Sequence, residues 1–489
     1  MGMGKENQKQ SLMKGSYDTV IGLEVHVQLN TASKAFSSER NSFEKDPNTN
    51  ISAVSIALPG ALPRVNTYQV RSAIKLGIAL ESAINKENSF DRKNYFYPDS
   101  PKGYQITQDE SPIVIGGQFT FKTGDDKKTI RIHHVHMEDD AGKSIHDLSE
   151  TDSMIDLNRA GTPLLEVVTE PDFSSGQEVS DFLAAFQNLL RYIEISDANM
   201  EEGSLRCDCN VSVKPTGQKE LGTRCEIKNI NSKKFAKTAI KYERNRQIKV
   251  IESGHTISQE TRLFDSKKGV TYTMRKKEDA LDYRYFPDPD LQTIVIQDKM
   301  IEELQSEIDF LPWTAENILL EKGVSEKNSA ELSVNKNYVI YFITLNHYVN
   351  NPKLVSDFVL NHIAPRWTEL TAFDHHKAKD NWVELLKLIQ DKKVSPSAAY
   401  QTLVPEIIKD LSTPVSELAQ KHNLLISESS ANEIPDLCSS IISKHPDKAQ
   451  AYQKGKKGLI GFFMGQAMRS GKKYDAQDLQ KEFEKQLNT

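Results

Sequence analysis

Glu24 and His26 sit two residues apart in a segment, Tyr17 to Leu29, whose apolar positions Ile21, Leu23, Val25, Val27 and Leu29 alternate with Gly22, Glu24, His26 and Gln28. Strict alternation of this kind predicts a half-buried strand. Its buried face fixes the register, so the carboxylate and the imidazole are aimed to one side, roughly 7 Å apart along the chain. Such a pair suits a metal ion or a charged substrate, although an ordinary wet strand face accounts for it as well. A second alternating stretch puts His134, His136 and Glu138 on one face and runs into Asp139 and Asp140. Three successive carboxylates repel one another unless cations or water compensate, and hard oxygen ligands suit Mg²⁺. A solvated acidic turn is the competing reading. The Gly142-Lys143-Ser144 that follows is not a phosphate-binding loop of the G-x-x-x-x-G-K-S/T kind, because Met137 stands where the first glycine belongs.

Two further strands are expected at Leu205–Val213 and Thr223–Ile230, joined through Thr216-Gly217 as a hairpin. One face takes Leu205, Cys207, Cys209, Val211, Val213, Cys225 and Ile227; the other takes Arg206, Asp208, Asn210, Ser212, Arg224, Glu226 and Lys228. A face so dense in both charges fits a phosphate-rich ligand, with the cations offsetting charge and the carboxylates holding metal. Cys207, Cys209 and Cys225 are expected as small core residues, since they fall on the apolar faces and lack the spacing of a zinc knuckle. Further polar clusters lie at Phe90–Asp99, Asp156–Arg159, Gln259–Arg262 and Asp282–Pro287. Each reads alone as a capped turn with an ion pair; together they suggest a large polar cavity. Lys228–Lys249 and Lys444–Lys473 are basic and read either as solvated helix faces or as a non-specific phosphate grip.

The elements that must position these groups follow from pattern and length. Residues 17 to about 298 mix short strands, recurrent Pro/Gly/Asn/Asp turns and a few helices, which predicts an α+β domain on a largely antiparallel sheet. One helix starts at Ser175, with Glu178 able to complete a capping box, and a second starts near Ser232. Beyond Pro289 the pattern turns helical, with a helical middle domain over residues 299–408 and a small helical tail over 409–489; residues 1–16 are expected to be a disordered lead-in. With 489 residues, 38% hydrophobic and 27% charged, the chain is expected to be soluble and multi-domain. No apolar run reaches membrane-spanning length, and there is neither a signal-peptide pattern nor a transit-peptide pattern. Four cysteines imply a reducing compartment, and a net charge of −6 leaves polyanion binding to local patches.

Taken as an ordered set, these motifs closely resemble the GatB family, the B subunits of the tRNA-dependent amidotransferase GatCAB. The resemblance rests on Val20–Leu29, Leu58–Asn66, Phe90–Pro101, His136–Ser144, Asp156–Pro171, Met200–Val213, Gly222–Ser232, Gln259–Asp265, Asp282–Pro289 and Gly455–Met468. It implies a catalytic cradle similar to glutamine synthetase, then a helical domain and a tail resembling YqeY that contact tRNA. It implies an ATP- and Mg²⁺-dependent ligase working with GatA, GatC and a misacylated tRNA in the cytoplasm. The side-chain carboxylate of Glu-tRNA(Gln) or Asp-tRNA(Asn) would be phosphorylated, and ammonia released by GatA would displace the phosphate. By position, the resemblance gives Glu24, His26, Glu138 and Asp139 as catalytic, with Glu24, His26 and Glu138 as metal ligands. Asp139 stands where the family more often has glutamate. Arg159, Arg206, Asp208, Glu226 and Lys228 would bind nucleotide or substrate, and Lys93 and Lys102 would line the ammonia channel. No structural zinc is expected. A ligase of a free small acid and a non-catalytic tRNA-binding scaffold are the other readings.

Overall fold

The computed structural model describes residues 16–488, apart from 45, 146–148, 150, 277–281, 368–374, 427–432, 470–473 and 475. Nearly all of the expected lead-in, and Lys472 and Lys473 of the tail's basic stretch, lie outside the described residues. The chain divides into two compact units, one ending at Leu311 and the other beginning at Pro312.

The first unit is built on a ten-stranded sheet. Its path from one edge is Val270–Lys276, Glu260–Asp265, Cys225–Ile230, Leu205–Pro215, Tyr17–Gln28, Pro163–Thr169, Asp126–Asp139, Val114–Ile115 and Ala83–Ile84, with Gln118–Thr123 pairing the outer part of the long Asp126–Asp139 strand. Every pairing but one is antiparallel. The exception, Cys225–Ile230 with Glu260–Asp265, is parallel because the helix Lys233–Glu252 carries the chain back across the sheet between them. The expected hairpin forms, with Asn210 opposite Glu226 and Val211 opposite Cys225.

The apolar face of the sheet buries Ile21, Leu23, Val25, Val27, Leu205, Cys207, Cys209 and Val211 in one core with residues of the helices Thr67–Ala79, Gly176–Tyr192 and Lys233–Glu252. Ser175 and Ser232 cap two of these helices, accepting from the Glu178 and Phe235 amides. The Glu178 carboxylate reaches back one residue beyond the cap, to the amide and hydroxyl of Ser174. All four thiols are free and buried, and burial pushes the Cys225 thiol up to about 12. The first unit also runs past the expected boundary at 298. Leu304 of the helix Asp298–Ser306 is buried in this core, and Glu307 pairs with Arg71 and Lys75.

Among the described residues of the second unit, every regular element is a helix. Glu384, on the helix His375–Gln390, accepts from the amides of Val415 and Ser416 and so caps the helix Val415–Lys421. A separate apolar cluster near the C-terminus gathers Ile434, Cys438, Phe463, Leu479 and Phe483. No helix of the described residues is long and apolar enough to cross a membrane.

Candidate active site on the polar face of the sheet

Sheet register brings the first group of side chains together. His26 lies opposite Glu166 on one neighbouring strand and opposite Arg206 on the other, and Glu166 in turn lies opposite His136. The result is a compact cluster. His26 Nε2 stands 3.2 Å from Glu166 Oε2 and 3.8 Å from Glu138 Oε1; His136 Nε2 stands 3.3 Å and 3.7 Å from the same two carboxylates. One ligand atom each from His26, Glu138 and Glu166 lies within 4.8 Å of the others. A second group of the same kind, Glu24, Asp208 and Glu226, forms on the same face where the Glu24–Asp208 and Asn210–Glu226 register pairs meet. Glu24, expected to share one site with His26 and Glu138, therefore belongs to the second group, adjacent to the first.

The electrostatics follow from burial and pairing. Burial disfavours the imidazolium of His26 and of His136, but Glu166 and Glu138 outweigh it; the His26 pKa is raised, and that of His136 is raised to about 10. Burial would raise Glu166, yet the two imidazoles hold it well below the usual carboxylate range. Glu24 is raised, first by burial and then by Glu166. His134 joins the row through a 3.1 Å contact with His136, and burial, followed by its histidine neighbours, lowers it to about 4. A metal ion at His26 must displace the proton that Glu166 favours there. Metal uptake should therefore release protons, and apparent Mn²⁺ affinity should strengthen across a pH window that opens at the ordinary imidazole range, about 6.5, and extends above it. Isothermal titration in two buffers of different ionisation enthalpy checks this; an affinity flat across that window would remove His26 from the ligand set.

Basic residues border both groups. Lys228 donates to Asp208 and Glu226, each at 2.7 Å, while Asn210 donates to Glu24 and Thr261 to Glu226. Arg206 pairs with the buried Asp140 at 2.7 Å, and Gln28 donates to the same carboxylate. Against its burial, Asp140 is held below its usual range by Arg206 and Arg159. Lys93 stacks toward the Tyr283 ring at 5.2 Å; burial is outweighed by Glu138, Tyr285 and Glu166, and its pKa is raised.

Two expected residues take other places. Asp139 follows Glu138 in an extended strand and so points to the opposite side. There it binds Lys102 and the Ile106 amide, and burial raises its pKa despite that lysine. Arg159 spends its guanidinium on the carbonyls of Ala141 and Gly142. Its turn is pinned by the buried Lys34, whose amine donates to the carbonyls of Asn50, Asn158 and Ala160. With no carboxylate among those three partners, burial lowers the Lys34 pKa to about 8. Gly161 closes the same turn at φ +82°, and a Cβ there would come within 2.8 Å of Ser55 Oγ. Glu166, the hub of the first group, was not singled out in the sequence. Its one signal is a lone acid in the apolar run Pro163-Leu-Leu-Glu-Val-Val-Thr169.

The donor set fits a hard divalent cation. The groups offer carboxylate oxygens and one imidazole, and the buried Glu138 Oε2 has no hydrogen-bond partner. An α+β unit with paired carboxylate clusters beside lysine and arginine has the features of an enzyme that handles phosphate. Family comparison makes this specific. Residues 19–302 match the model of the GatB/GatE catalytic domain and residues 341–487 match the GatB domain. The chain belongs to the GatB family and is accordingly an enzyme of the amidotransferase class. Its curated relatives are named as the B subunits of aspartyl/glutamyl-tRNA(Asn/Gln) amidotransferases. They include one from Chlorobium luteolum, 43% identical over 92% of this chain and 95% of the relative. Others come from Persephonella marina (40% identical, 93% and 96% covered) and Rickettsia bellii (41%, 93% and 94%).

Proposed function

We propose that the chain is the activating subunit of a tRNA-dependent amidotransferase that works in the cytoplasm with GatA and GatC on misacylated Glu-tRNA(Gln), Asp-tRNA(Asn) or both. The observation that carries this reading is the pair of carboxylate groups, His26/Glu138/Glu166 and Glu24/Asp208/Glu226, side by side on one sheet face and flanked by Lys228 and Arg206. Phosphoryl transfer needs positioning and charge compensation more than covalent chemistry, and this face supplies both. Mg²⁺ bound by these carboxylates would neutralise charge on the phosphates of ATP.

The chain's own residues do the rest. Lys228 and Arg206, fixed by their acidic partners, meet phosphate and substrate oxygens. Asn210 and Thr261 hold the Glu24 and Glu226 carboxylates in place. The side-chain carboxylate of the esterified amino acid attacks the γ-phosphorus, ADP leaves, and an acyl phosphate results. Ammonia from the glutaminase partner, arriving past Lys93 and Lys102, attacks the acyl carbon; phosphate leaves and one proton is lost. The cradle, which begins at residue 17, extends to Leu311 and is shaped like that of glutamine synthetase, performs this chemistry. The helical domain (312–408) and the YqeY-like tail (409–489) hold the tRNA. Stimulation of ATP hydrolysis by Glu-tRNA but not by deacylated tRNA tests the reading; equal hydrolysis with both would refute it.

Lys454, Lys456, Lys457 and Arg469 are exposed in the tail, and none of the carboxylate groups lies there. Phosphate contacts release counterions, so tRNA affinity should fall steeply with salt. Removing residues 409–489 should make that slope shallower and raise KM for aminoacyl-tRNA far more than it lowers glutaminase activity. Filter binding at several salt concentrations checks this, and equal slopes would show that the tail does not grip tRNA.

A further inference from the structure

Glu138 is the member of the first carboxylate group that its own hydrogen bonds do not fix. Among the described residues its Oε2 has no hydrogen-bond partner, and the His136 and His26 nitrogens stand 3.7 and 3.8 Å away, beyond hydrogen-bond length. The aim of this carboxylate is therefore set by the backbone that carries it. On one edge that backbone runs out of strand partners: Val114–Ile115 pairs it only at Val135 and His134, short of Met137. Two glutamine side chains take over. Gln108 accepts from the Met137 amide at 3.1 Å and donates to Asn88 Oδ1 at 2.8 Å. Gln69, on the helix Thr67–Ala79, donates through its one amide nitrogen to the carbonyls of Glu138, at 2.9 Å, and Leu164, at 3.1 Å. Glu138 and Leu164 face each other in the register, so a single side chain ties the strand of Glu138 to the strand of Glu166. Gln69 and Gln108 are both buried.

We propose that Gln69 and Gln108 are positioning residues of the metal group: they hold the Met137–Glu138 backbone so that Glu138 meets the divalent cation together with His26 and Glu166. This rests on the metal reading of the site above. Packing alone does not call for these residues. A buried amide is unfavourable unless its polar atoms are bonded, and an apolar side chain fills the same space. Gln69 even leaves its Oε1 without a partner among the described residues, while both of its recorded bonds go to the strands of the carboxylate group. A neutral amide also steadies those carbonyls without setting a positive charge beside the cation, as a lysine would. A metal ligand with no hydrogen bond of its own depends on such support from behind. Groups that orient a ligand in this way change metal affinity by about 10- to 100-fold when they are lost.

The test is Mn²⁺ binding to the assembled complex, measured by calorimetry without nucleotide, alongside amidation at rising Mg²⁺. Gln69→Met and Gln108→Met keep the length of each side chain and remove its hydrogen bonds. Each should weaken Mn²⁺ about tenfold. Amidation should fall at low Mg²⁺ and return to within about threefold of the unaltered complex at saturating Mg²⁺. Gln187→Met is the control. Gln187 is also buried and also donates to a backbone carbonyl, that of Ala198, but it makes no recorded hydrogen bond to either strand. It should leave Mn²⁺ affinity within about twofold. Unchanged Mn²⁺ affinity in the Gln69 and Gln108 variants would overturn the proposal. So would an equal loss in Gln187→Met, which would make the effect that of any loosened core. If one of the two variants does not fold, the other decides. Failure of the unaltered complex to bind Mn²⁺ would overturn the metal reading itself, and the proposal with it.

Discussion

Glu166→Gln is expected to abolish ATP-dependent amidation while leaving glutamine hydrolysis by the partner subunit and the fold in place. Glu166 lies closer than Glu138 to both His26 and His136, at 3.2 and 3.3 Å, and it sits in a group with Glu138 whose geometry suits a divalent cation. The amide keeps the size and one acceptor oxygen but removes the charge that favours both imidazoliums and any bound metal. Loss of a metal-positioning anion costs several kcal/mol of transition-state stabilisation; about 4 kcal/mol is roughly a thousandfold in rate. Single-turnover kinetics with excess complex would read the step directly, with a thermal melt as the control on folding. Amidation within about threefold of the unaltered complex would show that Glu166 is a structural partner of two histidines and nothing more.

The second large effect lies away from the reacting groups. Glu243 is fully buried on the helix Lys233–Glu252 and receives Arg246, Gln247 and the Thr271 hydroxyl, with Arg262 Nε 3.3 Å away. Those bonds tie the two outer strands, and so Thr261 and the Glu226 it holds, to the rest of the first unit. Glu243→Leu leaves Arg262, itself buried, short of one of its two acidic partners. Breaking a buried ion pair from one side costs about 3–5 kcal/mol, more than the pair contributes when intact. Denaturant unfolding should show a loss of about 3 kcal/mol, with weaker ATP-dependent activity at temperatures where the variant is still folded. A change below about 1 kcal/mol would mean that Glu260 and water satisfy Arg262 unaided.

What could be read from sequence divides along the faces of the sheet. The strand with Glu24 and His26 was legible because its apolar residues face one packed core, so period-two alternation survives in the chain. The hairpin of Leu205–Pro215 and Cys225–Ile230 was legible for the same reason, helped by its glycine turn. It also placed the cysteines correctly on the apolar side. Glu166 escaped because its strand runs through the middle of the sheet. Leu164 shares its side and is as buried as the core residues Leu165 and Val167 on the other, so nothing alternates. Asp139 was overvalued because three successive acids look like one cluster, whereas an extended chain must send neighbours to opposite sides. Separating Glu24 from the His26 group needed the lateral order of strands, which is a tertiary fact. Lys34 left no signal at all: its partners are backbone carbonyls, which every residue carries.

Activation of a carboxylate by phosphorylation is tested most directly by oxygen tracing. Glu-tRNA(Gln) charged with glutamate labelled with ¹⁸O in its side-chain carboxylate is incubated with the complex, ATP and glutamine, and the released phosphate is analysed by mass. If the carboxylate attacks phosphorus and ammonia then displaces phosphate, each turnover leaves one labelled oxygen in inorganic phosphate. The second labelled oxygen stays in the product amide; unlabelled phosphate, with the lost oxygen in water or in AMP, would contradict phosphorylation on this face.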